Sequence, residues 1–271
     1  MINNLIHNLR NSKHFRGTAA EKRSVFFAST RLHLKSRLSR KKNTAVSESL
    51  LNYKVSAYDY STMNFLFQEV FISDEYYFQP LAVAPLIIDC GANIGMSVLY
   101  FKKLFPLSTI IAFEANPHAF KLLEKNVSDN KISKVELHNL ALFDKETEIS
   151  FFIGDNISTL GGSINKGRGG FTELKVPAKK LSDYLKQLKT IDLIKMDVEG
   201  AELNIINDLV ESFTINKVKE YIIEYHHNME GNRSTLSSFL EKFESNGFKY
   251  NIKASYSKIN SPQDLLIHFY K

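Results

Sequence analysis

The sequence predicts an α/β domain: a mostly parallel, seven-stranded sheet with helices on both faces. Three observations carry that prediction. From residue 86 onward, short apolar runs alternate with amphipathic segments, the pattern of repeated strand–helix–strand units. Two of the runs, Leu86–Asp89 and Thr109–Glu114, end in an acid. Between Asp89 and the helix-like Met96–Phe105 lies a tight turn, Gly91-Ala92-Asn93-Ile94-Gly95. A strand, a glycine turn and a helix in that order form the crevice where open α/β sheets take ligands.

The elements follow in order. Leu86–Asp89 is the first core strand and Met96–Phe105 its helix. Thr109–Glu114 is the second strand, and Pro117 suits the first turn of the helix over 117–126. Val135–Leu142 is the third strand. Ile191–Asp197 is the fourth, followed by a helix through Ala201–Leu209. Lys219–His226 is the fifth, and Leu236–Asn246 is a helix stopped by Gly247. Phe248–Ala254 and Leu265–Tyr270 close the sheet. Glu148–Ile153 and Glu173–Pro177 interrupt this rhythm as a β-excursion over 146–180. The glycine-rich segment between them, with Gly154, Gly161, Gly162, Gly167, Gly169 and Gly170, is expected to be a mobile loop and substrate flap.

Charge divides the 271-residue chain. Residues 1–50 hold 11 Lys/Arg against two acids, a net +9, while the other 221 hold 24 against 27, a net −3. The pI of about 9.1 therefore describes the N-terminal stretch, and a whole-chain argument for nucleic-acid binding fails. Residues 1–50 are expected to form a basic helical arm, a cap on the domain or a contact for an anionic membrane surface, an acidic glycan or a protein. Residues 51–85, rich in aromatics, are expected to form a lid region or to pack on the sheet; residues 86–271 form the ligand-binding domain. Cys90 is the single cysteine, so no internal disulfide can form. Met1 to Asn11 shows no secretory pattern, and no apolar run is long enough to span a bilayer. A cytoplasmic protein, peripheral at a membrane if the arm docks there, is expected.

The turn narrows the ligand. A dinucleotide site needs G-x-G-x-x-G and a phosphate loop needs Gly-Lys-Ser/Thr; neither is present. Two glycines, Gly91 and Gly95, with Asn93 between them suit a ligand without phosphates, and Asp89 can hold the amino-acid end of S-adenosylmethionine. Glu114 closes the next strand, where a carboxylate can accept both ribose hydroxyls. Asn116 either helps hold the ribose or caps the helix at Pro117. Ala141 and Leu142, with Leu140, offer apolar contact for an adenine. After the fourth strand comes Lys195-Met196-Asp197-Val198-Glu199-Gly200-Ala201-Glu202. Asp197 stands at the strand tip, beside the transferable methyl, and Glu199 is expected to begin the next helix, where the dipole favours an acid. Glu224 and His226 share a face of the fifth strand, and His226 is the expected general base, with Asp197 and Glu199 positioning a hydroxyl. No residue is assigned to a metal, and metal dependence is left open.

The stretches Ile88–Gly95, Phe113–Pro117 and Ile194–Glu202 together resemble the FkbM family of S-adenosylmethionine-dependent methyltransferases, over roughly residues 65–240. Cys90 stands where the family often has valine, and Ala115 or Asn116 where it often has proline. The resemblance implies a Rossmann-like class I methyltransferase fold, S-adenosyl-L-methionine as cofactor, and O-methylation of a sugar, glycan or secondary metabolite. Three rivals stay open at this level. They are a catalytically idle nucleoside-binding domain docked through its basic arm, a ribose 2′-O RNA methyltransferase, and an NAD(P) oxidoreductase, which the missing third glycine disfavours.

Overall fold

The structure, a computed structural model, describes residues 12, 15–39, 45–154, 162–228, 235–254 and 263–271. Residues 1–11, 13–14 and 40–44 of the basic arm and 155–161 of the glycine-rich segment, Gly161 included, lie outside the described residues.

The described elements begin with helix α1 (Ala19–Leu38), the hairpin β1 (Val46–Leu50) and β2 (Tyr53–Ala57), and helix α2 (Tyr60–Phe67), which runs on as a π-helical turn over Gln68–Ile72. Two strand–helix–strand units follow: β3 (Leu86–Cys90), α3 (Met96–Leu104), β4 (Thr109–Phe113), α4 (Pro117–Asp129) and β5 (Val135–His138). The excursion comprises β6 (Ala141–Phe143), β7 (Thr147–Ile153), the short α5 (Lys166–Gly169) and β8 (Thr172–Lys180). Helix α6 (Leu181–Leu185), β9 (Ile191–Met196), α7 (Glu202–Glu211), β10 (Val218–His227), α8 (Leu236–Glu244), β11 (Lys249–Ala254) and β12 (Gln263–Tyr270) complete the chain.

Seven strands form the central sheet in the order β11-β12-β10-β9-β3-β4-β5. Strand β12 is antiparallel to both neighbours, and the β10–β9–β3–β4–β5 pairings are parallel. This is the mostly parallel α/β fold that the alternating pattern predicts. The strands read as continuous apolar runs because both faces are covered. Ile87, Leu193 and Ile222 pack into one core with α1 to α4, whereas Ile88, Ile194 and Ile223 pack into a second with α6, α7 and α8.

Register positions the site. Cys90 at the end of β3 pairs with Phe113 on one side and Met196 on the other. Glu114 and Asp197, the next residues along, therefore stand on one edge of the sheet. Strand β10 outruns β9: Ile223 opposite Met196 is their last pair, and Glu224–His227 pair only with β12, where His226 lies opposite Asp264. The sheet opens at that point, and polar side chains fill the gap.

Three expectations change. The run Val135–Leu142 is two strands, since β5 belongs to the central sheet and β6 pairs with β8 in a separate three-stranded sheet, β6-β8-β7. Asn139 makes the break, its amide donating to the carbonyl of Glu114 at 2.8 Å. The boundary at residue 50 cuts through the β1–β2 hairpin, so residues 46–50 are strand. The aromatics Phe67, Phe71, Tyr76 and Phe78 are buried in the core and do not form a lid. Helix α1 is a cap, begun by a capping box of Thr18 and Glu21. It buries Val25, Ala28 and Leu32, and Arg31 and Lys35 pair with Glu48. No helix among the described residues is long and apolar enough to cross a membrane.

Candidate active site

Two adjoining cavities lie over the carboxyl edge of the sheet, and Asn93, Asp197 and Glu199 line both. The first is walled by apolar side chains, among them Phe113, Leu140, Leu142, Phe151 and Ile164. Glu114 is its buried acid. One carboxylate oxygen accepts from the Asn93 N–H at 2.7 Å and the other from the Asn116 N–H at 2.7 Å. Burial pushes the Glu114 carboxyl up to about 7, although both backbone donors favour the charged form. Tyr58 also lines this cavity, its hydroxyl buried without a hydrogen bond.

Gly91 makes the junction possible. Its φ is +81°, and a Cβ there would lie 1.8 Å from the carbonyl oxygen of Asp197. The glycine thus lets the tips of β3 and β9 touch, a backbone-to-backbone contact that no other residue allows. Gly95, at φ +87°, does the same for helix packing, because a Cβ there would meet Leu123 of α4 at 2.7 Å.

The second cavity is acidic, lined by Glu69, Asp197, Glu199, Glu224 and Asp264, with Phe65, Leu66, Asn93 and Arg168. Burial raises the carboxyls of Glu69 and Glu224 to about 8 and about 9, and the nearby Asp197 charge adds to both shifts. Burial and the same Asp197 charge raise Glu199 to about 6 against the pull of His226 and Arg168. Glu199 sits in a left-handed turn, φ +56°, a conformation that non-glycine residues adopt mainly where the surroundings enforce it. Here the excursion does so: Ser163 Oγ donates to the Glu199 carbonyl at 2.6 Å, and Arg168 Nε bonds its carboxylate.

His226 is buried beside this cavity. Its Nδ1 donates to Glu202 Oε1 at 2.6 Å, since an ionised carboxylate can only accept. Its Nε2 has no hydrogen bond but lies 3.3 Å from Glu199 Oε2, 3.8 Å from Asp197 Oδ1, and 3.9 Å from both Glu224 Oε1 and Asp264 Oδ1. Burial alone would lower the imidazole, but Glu202, Glu199 and Asp197 outweigh it and hold His226 up at about 10.

Of the expected cofactor residues, Gly91, Asn93, Glu114, Asn116, Ala141, Leu142 and Asp197 line the first cavity. Asn116 also caps α4, its side chain accepting from the His118 N–H at 2.9 Å. Asp89 and Gly95 lie outside that lining. Asp89 is fully buried and turned into the protein, where it accepts from Ser97 Oγ at 2.6 Å and faces Lys195 Nζ at 3.3 Å. Lys195 in turn donates to the Gly91 carbonyl at 2.6 Å, so Asp89 steadies the turn. Gly95 serves packing. Of the residues expected to handle a proton, Asp197 and Glu199 reach the acidic cavity. Glu199 precedes α7 and does not begin it, because the helix starts at Glu202. His226, the expected general base, is buried beside that cavity with its Nδ1 on Glu202 and its Nε2 facing four carboxylates. Sequence reasoning missed Glu69, Arg168, Glu202 and Asp264. Only Glu202 carried a signal, as the last acid of the run that begins at Lys195.

Comparison with known proteins gives the family. The model of the methyltransferase FkbM domain matches residues 89–250. The chain belongs to the FkbM methyltransferase family. It is an enzyme of methyl transfer, and its cofactor is S-adenosylmethionine. It is 32% identical to "Methyltransferase 1" of Beauveria bassiana, over 54% of this chain and 67% of that protein. It is 30% identical to the 2-O-methyltransferase NoeI of Sinorhizobium fredii, over 48% of this chain and 59% of that one. It is 25% identical to the 31-O-demethyl-FK506 methyltransferase FkbM of Streptomyces tacrolimicus, over 60% and 74%.

Proposed function

We propose that this methyltransferase acts on oxygen, moving a methyl group to a hydroxyl of a sugar, a glycan or a secondary metabolite. The observation that supports this reading is the junction of the two cavities, one apolar with a single buried acid, the other rich in carboxylates, with Asp197 and Glu199 common to both. The names of two relatives, NoeI and FkbM, point the same way.

The first cavity fits the cofactor. The buried Glu114 carboxylate and the unpartnered Tyr58 hydroxyl are polar groups without a full set of partners, and ribose hydroxyls answer them. Glu114 takes those hydroxyls, Asn93 and Asn116 hold the carboxylate from behind, and Leu140, Ala141 and Leu142 flank the adenine. When bound, S-adenosylmethionine supplies a methyl group already activated on a sulfonium. The chain must then orient the acceptor, exclude water and take up a proton. Glu199, at about 6, is largely ionised at neutral pH and accepts a hydrogen bond from the acceptor hydroxyl. Asp197 positions the same group. The excursion covers the site through Ser163 and Arg168. A ribose 2′-hydroxyl of RNA suits this cavity poorly, since its carboxylates repel a phosphate backbone.

The test is release of S-adenosylhomocysteine by the purified chain with a panel of free sugars, lipid-linked or oligomeric glycans and polyhydroxylated metabolites, followed by fragmentation of the product. A methyl ether is expected. Methylation confined to nitrogen, carbon or RNA would sink the proposal.

A further inference from the structure

A hydroxyl acceptor needs one proton acceptor, yet the acidic cavity brings together five carboxylates, with Arg168 as the cation among its described lining residues. Beside them, the Nε2 atom of a fully buried histidine points at four carboxylate oxygens without a hydrogen bond to any. Carboxylates gathered around a buried nitrogen that has no hydrogen bond suit a cation.

The geometry admits one small metal ion. Ligand atoms about 2.1 Å from a metal lie about 3 to 4 Å from one another. His226 Nε2 is 3.3 Å from Glu199 and 3.8 Å from Asp197, and the three ligand atoms lie within 4.8 Å of one another. The other histidine nitrogen is held by Glu202 at 2.6 Å. A carboxylate on the far nitrogen is the usual way a protein fixes the ring of a metal-bound histidine. We propose that His226 Nε2, Asp197 and Glu199 bind one divalent cation of the Mg²⁺ or Mn²⁺ class, the ion displacing the Nε2 proton to solvent. Two carboxylates and one imidazole suit such ions better than soft metals. A second grouping, Glu224, His226 and Asp264, shares the same nitrogen. The first is preferred because Asp197 and Glu199 line both cavities. Arg168 Nη1 also pairs with Asp264 at 3.0 Å, so Arg168 keeps a partner when Glu199 turns to the ion. Glu224 and Asp264 then face the acceptor. An ion there offers its open positions to acceptor oxygens and makes a bound hydroxyl more acidic. That last role rests on the O-methyl reading; the site itself does not.

Mn²⁺ is the probe. The full chain is stripped with EDTA, and Mn²⁺ is titrated in without acceptor, followed by calorimetry and electron paramagnetic resonance. One Mn²⁺ per chain is expected, with spin-echo modulation from a directly bound nitrogen. Asp197→Asn or Glu199→Gln is expected to weaken binding by about tenfold or more, and Glu114→Gln to leave it unchanged. Folded wild-type chain that leaves Mn²⁺ free at millimolar concentration overturns the site, as does bound Mn²⁺ without nitrogen modulation. The modulation is read on the wild type, so it decides even if the variants fold poorly. Methyl transfer to hydroxyls at full rate in EDTA would overturn the ion's role in the reaction and spare the O-methyl reading. Bound Mn²⁺ with methyl transfer only to nitrogen would do the reverse.

Discussion

The two cavities share three residues and are built on opposite principles. In the cofactor cavity the polar groups are few and mostly satisfied by backbone: Glu114 receives two N–H groups and sits among apolar walls. In the acidic cavity the polar groups are many and come from side chains. A pocket of the first kind recognises a ligand that brings its own donors. One of the second kind stores electrostatic strain that a bound cation or acceptor relieves. The difference teaches that this chain keeps nucleoside binding and acceptor chemistry on separate residues, joined only through Asn93, Asp197 and Glu199.

The largest test of that division is at the junction. Gly91→Ala drives a Cβ into the Asp197 carbonyl in a left-handed backbone. Loss of about 3 kcal/mol or more of stability is expected in urea denaturation, with both cofactor binding and turnover impaired. Gly91→Ala with native stability would mean that the strand tips part easily and the cavities are not rigidly coupled. Next, Glu199→Gln should lower turnover about 100-fold while S-adenosylhomocysteine affinity, by calorimetry, stays within about threefold. Glu114→Ala should do the opposite, weakening that affinity about 30-fold through the lost charge-assisted hydrogen bonds. Equal effects of these two variants on binding would erase the distinction between the cavities.

The smallest expected change in binding is its pH dependence. Burial raises Glu114 to about 7 from its ordinary 4.5, so in the free protein its stabilising contribution is full below about 4.5. It is lost as pH rises through about 7, an effect of roughly 3 kcal/mol. Ribose hydroxyls donate to the ionised form, so cofactor affinity should rise between pH 6 and 8, by up to about tenfold. The pH dependence of S-adenosylhomocysteine binding checks this, and Glu114→Gln should flatten it.

Much of the cofactor cavity was legible before any fold was known, because its residues come from three short stretches at the tips of β3, β4 and β9. Strand periodicity and a glycine turn are local properties, and they place Gly91, Glu114 and Asp197 on one edge. Even there, the partner of Asp89 is not legible. Alternation along a strand says which face a side chain takes, but only the neighbouring strand shows that Lys195 is waiting on that face.

The sequence alone determined the parallel sheet, the family and the nucleoside end of the site, since each follows from patterns within about ten residues. Tertiary structure decided the acceptor end. Glu69 comes from a π-helical turn, Arg168 from the excursion, Glu224 from the overhang of β10 and Asp264 from the antiparallel β12. Their meeting around His226 depends on strand order and on how far β10 outruns β9. So does the charge of His226, because a pKa is set by burial and by neighbours distant along the chain, and neither is written in local periodicity.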